Sequence, residues 1–336
     1  MTDTMPQRLG RVRPAVQRNG AMAGLGLARV LWQEGRGVTS RQDGMTTERE
    51  IDWNAPGKPR KPTIIGIGAQ KAGTTWLSQM LAQHPKIWTP PFKEVQFFSH
   101  RFVEEHRQWL PWHFRRSRQT IERRWGLRGD PMPQGLIDYL DGITADPMFT
   151  NDWYRRVFAP APPGSQTMDV SPEYSTVPEE GVAFIRDFLP RARFIYILRD
   201  PVDRVVSQMK MHMTRKKKNP REAGPWLELL ESEPALFNRG DYAAYVPRWQ
   251  AAFGPEKLMI LPFGRISADP AGLLSEIEDF LGLPHHAYEN AERKVFAAPD
   301  DLLAPPELRA ILADRLQDQT DFLQSAFPPE FTAQLR

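Results

Sequence analysis

The sequence predicts an α/β fold of three layers, a central parallel sheet flanked by helices, and three observations predict it. Ile64-Ile-Gly-Ile-Gly68 and Arg193-Phe-Ile-Tyr-Ile-Leu198 are short apolar runs rich in β-branched and aromatic residues, as strands buried on both faces are. Each run passes through a short turn into a helical pattern, and strands alternating with helices give a parallel sheet. The 336 residues are ample for the core of one large domain of this class.

The elements follow in order. Residues 1–61 are rich in Arg, Gln and Gly and lack sustained periodicity. They read as a disordered basic extension that ends in the turn-rich Asn54-Ala-Pro-Gly-Lys-Pro-Arg-Lys-Pro62, with the domain spanning 62–336. Within the extension, Ala21–Ala28 has the look of a short signal-peptide centre, but Arg29 interrupts it and no small-residue cleavage site follows. After the first strand, Thr74–Gln83 reads as a helix, because Trp76, Leu77, Met80 and Leu81 form an i, i+3, i+4 stripe. His84-Pro85 ends it. Residues 99–165 crowd Trp, Arg and Pro together and show no clear period. Arg193–Leu198 is the second strand, and Asp200-Pro201 opens the next helix with a capping side chain and a proline at the first helical position. Lys257–Leu261 is a third strand, Ala271–Leu281 an amphipathic helix closed by Gly282, and Pro305–Leu323 a last helix.

Composition narrows the function. Charged residues are 25% of the chain, the formal net charge is +3 and the pI about 9.1. Such mild basicity suits anionic ligands and does not argue for nucleic acid. The absence of Cys excludes a disulfide framework and thiolate metal sites, and the seven His lack a metal-ligating spacing, so no metal is expected. No run of 18 or more apolar residues occurs, so no membrane span is expected, and a cytoplasmic setting is the expectation.

The segment Pro62-Thr-Ile-Ile-Gly-Ile-Gly-Ala-Gln-Lys71-Ala-Gly-Thr-Thr75 carries the first chemistry. A strand, a Gly-containing loop and a helix N-terminus form a ready anion site, since free backbone N–H groups and the helix dipole point the same way. Gly68 and Gly73 permit the turn, Lys71 adds a cation, and Thr74 and Thr75 add donors. The ATP-type P-loop, G-x-x-x-x-G-K-[ST], places Lys after its second Gly. Here Lys71 stands two residues before Gly73, so that pattern fails while the P-loop-like logic survives. Arg193-Phe-Ile-Tyr-Ile-Leu-Arg199-Asp-Pro-Val-Asp-Arg-Val-Val-Ser207 repeats the form. It sets an Arg fork at the carboxyl end of a strand and a hydroxyl within the following helix, a good partner set for phosphate. An Arg199–Asp203 salt bridge is the plainer alternative.

These two segments resemble the 5′-phosphosulfate loop and the 3′-phosphate motif of sulfotransferases that use 3′-phosphoadenosine 5′-phosphosulfate (PAPS), above all the heparan-sulfate and bacterial types. The resemblance covers about residues 62–325. It implies that Lys71, Ala72, Gly73, Thr74, Thr75 and Trp76 cradle the phosphosulfate and that Lys71 stabilises charge on the bridging oxygen. It also implies that Arg199 and Ser207 hold the 3′-phosphate, and that PAP is the product. Asn290-Ala-Glu-Arg293-Lys294 is similar to a basic loop that closes over the co-substrate. Pro262-Phe263-Gly264-Arg265 stands where the family usually has Phe-Glu-Asp.

Sulfuryl transfer asks for in-line positioning, charge stabilisation and one group to take the acceptor's proton. Pro90-Pro-Phe-Lys93-Glu94-Val-Gln-Phe-Phe98 resembles the family's Lys-Glu-x-x-Phe-Phe segment, which implies Glu94 as general base and Lys93 as a neighbouring positive group. His84 is the rival base. Met168-Asp169-Val-Ser171-Pro172-Glu-Tyr174 is similar to a family segment that usually begins with Glu. Asp169 is therefore expected either to touch the acceptor or Lys71, or to lie at a buried strand end, hydrogen-bonded locally. The runs Arg115-Arg116, Arg123-Arg124 and Arg215-Lys-Lys-Lys218 either guide an acidic acceptor or are solvated faces. The resulting reading is transfer of a sulfuryl group to a hydroxyl or amine of a carbohydrate-like acceptor, with lipid and small-molecule acceptors open. An ATP-dependent kinase with a variant loop and a non-catalytic nucleotide-binding protein are the alternatives.

Overall fold

The computed structural model describes residues 52–53, 57–129, 131–293 and 302–336. Five strands form one parallel sheet: β1 (Ile64–Gly68), β2 (Ile87–Trp88), β3 (Gln166–Val170), β4 (Arg193–Leu198) and β5 (Leu258–Pro262), in the order β2-β3-β1-β4-β5. β1 is central and wholly buried, with Ile64 opposite Met168 on one side and Arg193 on the other. The carboxyl ends of the strands share one edge, where open α/β sheets take their ligands.

The three expected strands are present, and β2 and β3 are additions to them. The helices Thr74–Leu81, Pro201–Arg215 and Pro270–Leu281 follow β1, β4 and β5. Asp269 caps the last of these by accepting from the Gly272 amide at 2.9 Å, and Gly282 ends it with φ 65°. The single helix expected over 305–323 is two, Pro306–Arg315 and Gln317–Ala326, with Leu316 out of helical geometry at φ −110° and ψ 14°. Packing explains the break. Leu308, Leu312 and Leu316 belong to one apolar cluster with Val205, Met209 and Trp226, whereas Leu323 belongs to the larger core around the sheet.

Residues 99–165 are largely helical, with Glu104–Arg107, Leu110–Arg128, Gln134–Thr144 and Asn151–Val157. The longest of them buries Leu110, His113, Phe114, Ser117, Thr120, Ile121 and Trp125, a helical stripe written partly in polar residues. Packing also reaches back beyond the expected boundary at 62. Trp53 is buried with its ring 5.4 Å from Tyr139, Arg60 donates to the Ala161 carbonyl, and Lys61 Nζ donates to the Phe188 carbonyl at 2.7 Å. The expected disorder of residues 1–51 lies outside the described residues. Among the described residues no helix is long and apolar enough to cross a membrane.

Candidate active site

The loop after β1 is a close-fitted turn. Lys71 and Gly73 both take positive φ, 70° and 89°, and Gly73 is the N-cap of Thr74–Leu81. A β-carbon at Gly73 would collide with Ile266, and Phe263 closes in behind it, so glycine answers both conformation and space there. No side chain caps this helix and no acid stands in its first turn, which leaves its amide end open to an anion. Lys71 is half-buried. Burial first, then Arg215, Arg199 and Lys93, pulls its pKa down to about 8, against an opposing pull from Glu94. Five charged groups from three separate segments therefore share one field.

Arg199 leaves the end of β4 and donates from Nη1 to the Lys71 carbonyl at 3.0 Å, joining the two turns. Its guanidinium lies 4.2 Å over the Phe263 ring, and its Nε is buried without a hydrogen-bond partner among the described residues. The Arg199–Asp203 salt bridge weighed as an alternative is not formed; Asp203 pairs with Arg309 at 2.8 Å. Arg309 belongs to the helix 306–315 and its charge is felt at Arg199, a neighbour the sequence did not suggest. Ser207 lies partly exposed in Pro201–Arg215. The segment that departs from the family's Phe-Glu-Asp pattern thus supplies the ring beneath Arg199.

Glu94 lies in the segment that follows the edge strand β2. Lys93 Nζ lies 2.5 Å from Thr75 Oγ1 and 3.5 Å from Glu94 Oε1, bridging the first helical turn and the carboxylate. Glu94 and Gln96 both have positive φ, 67° and 56°. Left-handed backbone at such residues costs about 1–3 kcal/mol each and persists only where the surroundings over-determine it. Gln96 Nε2 donates to Glu94 Oε2 at 3.3 Å and lies 3.4 Å from Glu173 Oε2.

Glu173 is a second, buried carboxylate that sequence reasoning passed over. Arg239 pairs with it, His106 Nδ1 is 3.2 Å away, and Gln70 Nε2 donates to it at 3.4 Å. Burial pushes its pKa up, but Arg239, then His106 and His113, hold it below the usual carboxylate range. Arg239 also donates to Gln70 Oε1 at 2.8 Å, so this network ties the residue before Lys71 to the residues around Glu94. Arg215, from a run read either as a guide for an acidic acceptor or as a solvated face, has its Nη1 buried with no hydrogen-bond partner among the described residues and lies in the field of Glu94 and Glu173. One turn earlier, His212 is buried. Burial first, then Arg215, Arg239, Lys216 and Lys71, lowers its pKa to about 4.

Asp169 lies at the buried end of β3, only 1% exposed. Tyr154 and Tyr174 donate to its Oδ2 at 2.9 and 2.7 Å, and Ser171 donates to its Oδ1 at 2.7 Å. Burial raises its pKa to about 6 despite these donors. Of the readings held for Asp169, the buried strand-end position with local hydrogen bonds is the one this hydroxyl cage matches. His84 is also buried, its Nε2 3.0 Å from the Pro284 carbonyl and its Nδ1 accepting from the Lys86 amide, so it stands as a helix-end anchor. Trp76 is buried and donates to the Ala291 carbonyl at 2.8 Å, fastening the 284–293 segment to the helix after β1. Arg293 is exposed and Lys294 lies outside the described residues.

Comparison with known proteins points to one family. A family model described as the sulfotransferase family matches residues 62–287. A human bifunctional heparan sulfate N-deacetylase/N-sulfotransferase 3 is 28% identical over 282 residues, 78% of this chain and 26% of that protein. Human heparan sulfate glucosamine 3-O-sulfotransferase 3B1 is 29% identical over 240 residues, 69% of this chain and 48% of that one. The chain thus spans a quarter to a half of the length of these relatives. A solved sulfotransferase from Alicyclobacillus acidocaldarius shares the fold, with a TM-score of 0.55, 24% identity, and coverage of 79% of this chain and 95% of that one.

Proposed function

The chain belongs to the sulfotransferase family, and from that premise we propose that it transfers a sulfuryl group from PAPS to a hydroxyl or amine of a carbohydrate-like acceptor, with Glu94 as general base. The observation that carries the reading is the Lys93 bridge, which sets a carboxylate beside the open helix end. The glycan preference is drawn from the names of the heparan sulfate relatives. Neither the kinase alternative nor the non-catalytic one draws support from the family match.

The residues fit the co-substrate. The uncapped end of Thr74–Leu81 and the Thr74 and Thr75 hydroxyls suit one phosphate group, and the unpartnered Nε of Arg199 with Ser207 suits another. When bound, PAPS supplies a sulfuryl group whose transfer breaks the sulfur–oxygen bond to the 5′-phosphate and forms one bond to the acceptor oxygen or nitrogen. Glu94 takes the proton that the acceptor loses. Lys71, charged at neutral pH with a pKa of about 8, meets the negative charge that grows on the leaving oxygen. Lys93 holds Glu94 toward the site.

Radiolabelled PAPS offered with pools of glycans, lipids and small molecules tests the proposal. Label is expected to move to a glycan acceptor. Glu94→Gln is expected to keep PAP binding and to lose about 100-fold or more in turnover. Full turnover by that variant removes Glu94 from the mechanism, and a wild-type chain that binds PAP and labels nothing defeats the whole reading.

A further inference from the structure

We infer that Ser171 and Tyr174, held by Asp169, are positioning residues for Glu94: together with Asp169 they grip three consecutive backbone amides and so fix the strained segment that carries the base. The inference rests on the reading of Glu94 as base.

The contacts run in sequence. The Gln96 amide donates to Ser171 Oγ at 3.0 Å, the Phe97 amide donates to Tyr174 Oη at 2.9 Å, and the backbone of Val95 hydrogen-bonds Asp169. Both hydroxyls hand their own protons on to Asp169, at 2.7 Å each. A hydroxyl that donates to a carboxylate has its lone pairs left to accept, so the charge on Asp169 orients Ser171 and Tyr174 as acceptors toward the amides. Those amides belong to the entry of the helix Phe97–Phe102, where intrahelical partners are lacking, and no side chain of its own caps it. Phe97 is stacked on Tyr154 at 4.3 Å, and Tyr154 is the third donor to Asp169. Gln96, once pinned through its backbone, extends its side-chain amide to Glu94 Oε2. The path from Asp169 to the base is therefore two hydrogen-bond links through Ser171 to the Gln96 backbone and one more from its side chain. With positive φ at both Glu94 and Gln96, the segment would relax without that grip.

A double-mutant cycle on the full chain separates positioning from plain structural support. Ser171→Ala is expected to lower kcat about 10-fold, to leave PAP affinity within about 2-fold, and to regain most activity as Ser171→Thr. In a Glu94→Gln background the same Ser171→Ala change is expected to alter kcat by less than about 2-fold, because there is no base left to position. Equal losses in both backgrounds, or a parallel loss of PAP affinity, or undiminished kcat in Ser171→Ala, overturns the inference. If Ser171→Ala does not fold, Tyr174→Phe takes its place, since it removes one hydroxyl and keeps the ring, with the same expected and contrary outcomes. Full turnover by Glu94→Gln alone defeats the base reading and this inference together, whereas an inactive Glu94→Gln with an additive cycle defeats only the positioning.

Discussion

The turns after β1 and β4 share one topology and solve the anion problem differently. After β1 the helix begins at Gly73 with no capping side chain and no acid in its first turn, so its amides remain available. After β4 the helix caps itself. Asp200 accepts from the Asp203 amide at 3.0 Å, Pro201 fills the first position, and Asp203 adds a second acid. With Pro201 lacking an amide proton and the Asp203 amide already taken, an anion at this turn would fall to side chains, and Arg199 and Ser207 are the ones proposed for it. The lesson is that strand–turn–helix form alone does not make a phosphate site; the residue at the cap decides whether backbone or side chains will do the binding.

That contrast can be broken at each end. The largest effect is expected from Lys71→Ala, with kcat down about 100–1000-fold, since the proposed transfer puts the growing negative charge at the open turn. Stopped-assay kinetics with PAP affinity measured alongside would show it, and a loss confined to affinity would erase the distinction between the turns. Arg199→Ala is expected to weaken PAP binding about 10–100-fold by calorimetry while kcat at saturation changes little, because a charge-assisted contact common to ground and transition state is lost. Asp200→Ala should leave PAP affinity within about 3-fold and cost about 1–2 kcal/mol in denaturant unfolding, the worth of a cap that Arg336 also bonds at 3.0 Å. A large affinity change would show that the capped turn also binds.

The smallest effect is in pH. Lys71 titrates at about 8 in the folded chain against its ordinary 10.5. Between those values the unfolded chain binds more protons, so the Lys71 contribution makes stability rise with pH across that window, and Lys71→Met should flatten the rise. In the free enzyme kcat/KM is expected to fall as pH climbs through about 8, as Lys71 loses its charge.

Much of the frame was legible because it obeys simple periods. β1, β4 and the helices after them announce themselves through β-branched runs, Gly73 and Asp200-Pro201. β3 did not, since Gln166-Thr-Met-Asp-Val170 buries Thr167 and Asp169 among apolar neighbours. What makes that burial tolerable is a cage from Tyr154, Ser171 and Tyr174, visible only in three dimensions. Lys71, Lys93, Glu94 and Arg199 could be named from their motifs, and the structure brings them together. Glu173 and Arg215 escaped because a carboxylate in a turn and an arginine in a charged run look solvated in one dimension. Their approach to Glu94 joins residues roughly 80 and 120 positions away in the chain, beyond the reach of any local pattern.

The central place of β1 also has a consequence for synthesis. Its neighbours are β3, met at the pairing of Ile64 with Met168, and β4, met at Arg193. At roughly 5–20 residues per second, an apolar strand made early waits several seconds on the ribosome for either edge to be covered. Slowing translation between β1 and β3 is therefore expected to lower the yield of folded protein more than slowing it after β5.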